Sequence, residues 1–271
     1  MLIQVRHQTR YRYGHLVDHA LQRLRLTPRS TKAQDVLNWS VACPGMETGV
    51  QYEDAWGNTT HLVVSPNPVE EIVVVAKGLV ETRDTHGVAG HDRGATPPWV
   101  YLRDSPATAP DKRLRACADH IPEGAPLERL HALLAEVHAR IEYDTVATHT
   151  GTSAQEAFTQ GRGVCQDHAH VFICLARLLD IPARYVTGYL YVPDEASAVA
   201  HHAWAEAHVS ELGWVGFDPA NGVSPGECYI RLACGFDAAG GAPVIGSRRG
   251  GGAETLEVEV QLHQAEAQAS Q

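Results

Sequence analysis

The hydrophobic period changes twice along the chain, and that change bounds the fold more tightly than any other feature. As far as about residue 81, short alternating runs separated by Pro, Gly and Asn carry the period of half-buried strands. Gln8 to Tyr13, Gln22 to Thr27, Asn38 to Ala42, Thr59 to Val64 and Ile72 to Val80 read as strands. An antiparallel β-sandwich is the natural closed solution for so many short ones. Asp54-Ala55-Trp56-Gly57-Asn58 has turn chemistry, with Gly57 and Asn58 able to take positive φ. Asp84 to Pro98, rich in Gly, His, Asp and Pro, reads as a linker or exposed loop.

After Pro110 the period becomes helical. Leu127, Leu130, Leu134, Val137 and Ile141 fall on one stripe, and Ser153-Ala154-Gln155-Glu156 is a capping box for a short helix through Phe158. A second strong helix runs from Val164 to Asp180 and is stopped by Pro182. Alternation then returns over Ala183 to Leu190, His202 to Val209 and Trp214 to Asp218. Residues 237–253 are Gly- and Ala-rich and expected to be mobile, while Leu256, Val258, Val260 and Leu262 mark a final strand able to close either sheet. The fold class is therefore α+β. An N-terminal antiparallel β-sandwich over 1–98 precedes a core of helices packed on an antiparallel sheet over 99–236, and 237–271 supplies a Gly-rich loop, a last strand and a polar tail.

Composition excludes several function classes. A 271-residue chain that is 44% hydrophobic and 20% charged has ample core material for two packed units, and no window approaches the apolar length of a bilayer span. The net charge of -10 argues against nucleic-acid binding, and the densest basic run, Arg23, Arg25 and Arg29, reads as a solvated strand face. The 6 cysteines show neither a C-x-x-C pair nor disulfide-scaffold density, so they read as reduced thiols. Met1 to His7 alternates like a strand and lacks the apolar core of a signal peptide, which leads to the expectation of a cytoplasmic protein. The 16 histidines raise a metal-dependent hydrolase as an alternative, at His168 with His170 or His201 with His202, although no recognisable ligand spacing accompanies them.

One constellation carries chemistry. Cys165 follows a Gly-x-Gly turn at the start of the second long helix, where N–H groups and the helix dipole stabilise a thiolate, and Gly163 lets a substrate backbone approach. Cys174, mid-helix, is the structural counterpart. The short connection between the strands at His202 and Asp218 makes them antiparallel, so the start of one lies beside the end of the other. A carboxylate beside an imidazole fixes its tautomer and supports the imidazolium that pairs with a thiolate.

Gly163-Val164-Cys165-Gln166-Asp167-His168-Ala169-His170, Ile181-Pro182-Ala183-Arg184-Tyr185-Val186-Thr187-Gly188-Tyr189, His202-Ala203-Trp204-Ala205-Glu206 and Gly213-Trp214-Val215-Gly216-Phe217-Asp218-Pro219 resemble, in this order, the core blocks of bacterial transglutaminase-like proteins. Leu24 to Arg29 and Tyr52 to Asn58 are similar to the β-rich region that precedes that core. The resemblance implies a papain-like core with Cys165 as nucleophile, His202 as general base and Asp218 as orienting acid. It also implies amide or thioester chemistry on a peptide or protein substrate, without a cofactor. Ala220 after the Asp-Pro pair, Asp180 before Ile-Pro, and Gly235-Phe236-Asp237-Ala238 depart from the family pattern. Gln166 and Asp167 are candidates to face substrate, Asp167 equally a helix N-terminal charge. Trp204 and Trp214 are candidates for the substrate channel, with core packing the equal alternative. Glu206 and His208 read as surface or supporting groups. A catalytically silent interaction domain stands as the other reading, and it would be favoured by loss of the Cys, His or Asp.

Overall fold

The computed structural model describes residues 1–65, 68–91, 96–193 and 201–265. Strands β1 (Leu2–Thr27), β2 (Gln34–Ala42), β3 (Val50–Glu53), β4 (Thr59–Val64), β5 (Val69–Thr82) and β6 (Val88–Gly90) precede helices α1 (Lys112–Ala118) and α2 (Pro126–Arg140). The short strands β7 (Glu142–Tyr143) and β8 (Arg162–Gly163) flank α3 (Ala154–Gln160). Helix α4 (Cys165–Leu178) leads into β9 (Ala183–Leu190), β10 (His201–Val209), β11 (Gly213–Phe217) and β12 (Tyr229–Gly235). The chain closes with α5 (Ala238–Gly241), β13 (Val244–Gly250) and β14 (Glu254–Gln264).

The strands expected at Gln8 to Tyr13 and Gln22 to Thr27 are one 26-residue strand, β1. Its first half lies between β5 and β14 and its second between β4 and β13. Register breaks between Arg12 and Val17 and between Leu24 and Thr27 bend it, because an unpaired residue increases the local twist. The N-terminal strands thus form one hydrogen-bonded sheet in the order β2-β5-β1-β4-β3, with β13 and β14 also on β1, where a sandwich of two separate sheets was expected. The last strand joins this sheet, and the Gly-rich segment expected to be mobile contributes α5 and β13 to the fold. The polar tail beyond Ala265 lies outside the described residues.

The turn at 54–58 corrects two readings. Gly57 takes φ 81° as its turn requires, but Asn58 is absent from the left-handed residues and contributes its side chain instead. Arg25 is no solvated strand residue: it is 4% exposed, and its Nε donates to Asp54 at 2.6 Å, while Asp54 also accepts from the N–H groups of Trp56 and Asn58. A buried charge needs such pairing.

The second sheet runs β12-β9-β10-β11-β6, antiparallel throughout, and its edge strand β6 comes from the segment read as a linker. Helix α4 is buried from Asp167 to Arg177 and packs with α1, α2 and α3 in one core with Ala203, Ala205 and Ala207 of β10. Those alanines let a helix sit close, and Phe172 stacks on Phe217 at 5.1 Å. The helix ends two residues before Asp180, which takes φ 59°. That is the left-handed region where Gly is at ease and Asp is tolerated, which accounts for the Gly-to-Asp departure there.

Strand alternation turns Glu206 away from the alanines. It is 2% exposed, not a surface group, and its carboxylate accepts from Arg184 Nη2 at 2.5 Å and from Arg231 Nε at 2.8 Å. The Arg184 guanidinium lies 3.9 Å over the Trp214 ring. Removing one member of a buried ionic group strands the others without compensation, at about 3–5 kcal/mol. Glu206→Ala is therefore expected to lower the urea midpoint by that amount of stability, and a loss below about 1 kcal/mol would show that the two guanidiniums do not depend on it.

Candidate active site

Helix α4 starts at Cys165 because three constraints meet there. Val164 is extended and follows β8, which pairs in parallel with β7. Asp167, three residues on, accepts the Val164 N–H on Oδ2 at 2.8 Å and the Thr148 hydroxyl at 2.6 Å. The ring nitrogens of His168 each lie 2.9 Å from a backbone carbonyl, of Val164 and of Ile141. Asp167 is 1% exposed, and its carboxylate caps the helix. Gly163 has the same cause: a Cβ there would stand 2.7 Å from the Asp167 side chain, so the cap, more than any substrate, requires glycine. Gln166 is half-buried, and its Nε2 donates to the Thr150 carbonyl at 3.2 Å, tying down the loop before α3.

Cys165 itself is half-buried. Its thiol interacts with the His202 imidazole and favours the charged form of that ring. His202 Nε2 donates to Asp218 Oδ2 at 2.7 Å. His202 thus interacts with both the thiol and the carboxylate. The hairpin β10–β11 produces this, since pairing of Ala205 with Phe217 and Val209 with Gly213 brings the start of β10 to the end of β11. His201 faces elsewhere, with its Nε2 3.1 Å from the Thr187 hydroxyl.

Asp218 is 0% exposed. Oδ2 also accepts from Asn221 Nδ2 and from the Tyr229 hydroxyl, each at 2.7 Å, and Oδ1 accepts the N–H groups of Ala220 at 3.1 Å and Asn221 at 3.3 Å. Burial alone would raise this carboxyl. The bonds and charge of His202, helped by Asn221 and Tyr229, hold it below its usual 3.8. The His202 ring shows the reverse balance: burial pulls it down, but its hydrogen bond to Asp218 and its interactions with Cys165 and the Asp218 charge outweigh that and raise it from 6.5 to about 10. An imidazolium is thereby available beside the thiol at neutral pH. Ala220 serves through its backbone, so the departure from Thr leaves the bond to Asp218 intact.

Asn221 and Tyr229 escaped the sequence reading. Asn221 stands three residues past Asp218 and carried a usable signal, an amide within reach of its own turn. Tyr229 had none, because only the pairing of β12 with β9 brings it near.

The two tryptophans are core. Trp204 is 2% exposed and packs with Val186 and Cys234, its ring stacked near His202 at 6.3 Å. Trp214, also 2% exposed, lies against Tyr101 and Arg184, roughly 13 Å along β11 from Asp218. Phe236, in the third departure from the family pattern, stacks on Tyr101 at 5.7 Å, and the Ala238 N–H donates to His170 Nε2 at 3.0 Å. Burial pushes His170 down to about 4. Among the described residues no three His, Cys, Asp or Glu side chains gather in a metal-holding group.

Residues 3–81 match the bacterial transglutaminase-like N-terminal region, and residues 115–219 match the transglutaminase-like superfamily. An uncharacterised protein of Mycobacterium leprae is 29% identical over 279 residues, covering 96% of this chain and 98% of its own. One from Mycobacterium tuberculosis is 24% identical, covering 90% and 86%. The crystal structure of a candidate cysteine protease from Cytophaga hutchinsonii shares the fold with a TM-score of 0.77, over 100% of this chain and 92% of that one, at 20% identity. With its N-terminal region and its core matched in turn, this chain belongs to the bacterial transglutaminase-like proteins.

Proposed function

We propose that this protein is a cysteine-nucleophile enzyme that cleaves amide bonds of a peptide or protein through a thioester, with hydrolysis favoured over transamidation. The observation that carries this reading is an imidazole hydrogen-bonded to a buried carboxylate and interacting with a thiol that stands at the first residue of a helix. In the proposed reaction, Cys165 sulfur attacks the carbonyl carbon and the oxyanion forms beside the α4 N-terminus. The C–N bond breaks as His202 passes its proton to the departing nitrogen. Water, deprotonated by His202, then attacks the thioester and releases the acid and the free thiol. Asp218 holds the ring throughout. A papain-like arrangement, with the nucleophile on a helix and its partners on a sheet, is part of this reading.

Two further observations support it. Burial pushes Cys43 up to about 11 and Cys174 up to about 12, so neither thiol competes as a nucleophile. The burial of Trp204 and Trp214 in the core leaves neither to line an acceptor tunnel, which favours water as the resolving nucleophile. The name given to the Cytophaga hutchinsonii protein points the same way. Six unpaired thiols fit a reducing, cytoplasmic setting.

Partitioning tests the reaction. With a glutaminyl or peptide ester donor, added primary amine is expected to divert product weakly and linearly; saturation at low amine concentration would establish an acceptor site and end the hydrolase reading. Cys165→Ala is expected to abolish turnover, and survival of activity within about tenfold would remove the thiol from the mechanism.

The raised imidazole makes a second prediction. A group lifted in the folded state from 6.5 to about 10 contributes stability in full below pH 6.5 and loses it as pH rises through about 10. Wild type is therefore expected to exceed His202→Gln in urea midpoint at pH 6, with the gap closing towards pH 10. A gap that widens with pH would contradict the imidazolium.

A further inference from the structure

Strand β12 is the edge of the second sheet, so its outer backbone groups have no strand to bond. Groups of that kind need partners when buried. Two amide side chains of the N-terminal region supply them. Gln34, 1% exposed, donates from Nε2 to the Arg231 carbonyl at 2.9 Å and accepts the Arg231 N–H on Oε1 at 2.8 Å. Asn58, 4% exposed, donates to the Cys234 carbonyl at 2.8 Å and accepts the Cys234 N–H at 2.9 Å. A planar amide presents a donor and an acceptor side by side, so each stands in for one residue of an added strand. Just before β12, the Thr82 hydroxyl donates to the Glu227 carbonyl at 2.5 Å.

The strand held in this way carries Tyr229, two residues from the Gln34 contact, and its hydroxyl donates to Asp218. Burial and the Asp218 charge push this phenol well above its ordinary value, so it stays a donor at any working pH. Its ring also packs edge-on against Trp204 at 5.5 Å, which fixes its direction. The titratable groups that interact with Asp218 are Tyr143 from β7, His202 from β10 and Tyr229 from β12. Of these, Tyr229 alone sits on the strand held by the N-terminal amides.

We propose that the N-terminal sheet is a working part of the catalytic site: the Gln34 and Asn58 amides fix β12 so that Tyr229 holds the Asp218 carboxylate against His202. This rests on the acyl-transfer reading above. Gln34, Asn58 and Tyr229 are positioning residues; none touches the reacting atoms.

The test is the rate of Cys165 alkylation by iodoacetamide against pH, on the full chain, for wild type, Tyr229→Phe, Gln34→Met and the double variant. Tyr229→Phe keeps the ring packing and removes one donor. Asp218 is then held less firmly against His202, so the acid limb of the profile is expected to move to higher pH, with alkylation at pH 6 slowed about tenfold. Gln34→Met is expected to move the limb the same way by less, and the double variant to fall no lower than Tyr229→Phe, because coupled residues are not additive. An unmoved limb in either folded variant, or full additivity, overturns the proposal. Should Gln34→Met fail to fold, Gln34→Glu, which keeps the acceptor for the Arg231 N–H, carries the same expectation. A wild-type profile that His202→Gln leaves unchanged would instead overturn the acyl-transfer reading, so the two failures are distinct.

Discussion

A carboxylate with no access to water is the constraint around which the site is built. Burying a lone charge costs several kcal/mol, and Asp218 keeps its charge because five donors converge on its two oxygens. Those donors come from β10, from the turn after β11 and from β12, so the carboxylate is satisfied only when the second sheet is assembled in register. The same charge lifts the His202 imidazole, and the lifted imidazole accompanies the Cys165 thiol. The charge of the imidazole is therefore set by the hydrogen bonds that keep Asp218 ionised.

Residue types that look functional have been taken up by architecture around this centre. Asp167 stands two residues from Cys165 and serves as a helix cap, which in turn demands glycine at 163. Glu206 lies four residues along β10 from His202 and neutralises two guanidiniums under the sheet. Trp204 supports the imidazole from within the core. Each fixes a backbone or a ring that the proposed chemistry needs held still, which is how rigid scaffolds keep reacting groups within reach.

The two matched regions are also mechanically continuous. Tyr189, Ile230 and Leu232 of the second sheet pack in the core of the N-terminal sheet, and His7 Nδ1 lies 2.9 Å from the Tyr189 hydroxyl. The long β1 makes this possible, since one bent strand carries both the partners of β5 and those of β13. A division at residue 98 thus separates segments of sequence, while the packing runs across it.

Local rules made much of the chain legible. Helix α2, the capping box at Ser153, the start of α4 and the hairpin that brings His202 to Asp218 depend on neighbours a few residues away, and period and turn chemistry record them. The sequence by itself therefore determined the main helices and the hairpin of the second sheet, and that an imidazole and a carboxylate meet there. Tertiary structure alone decided what covers each face. Alternation says that Trp204, Glu206 and Trp214 share a side of the sheet, but not that this side is buried. It could not join two strands into β1, choose the sheet for β14, or bring Gln34, Asn58 and Tyr229 to β12. Those outcomes are pairings between segments as distant in sequence as Ile3 and Gln264 or Gln34 and Arg231, and no periodicity within one segment encodes the partner that another segment will present.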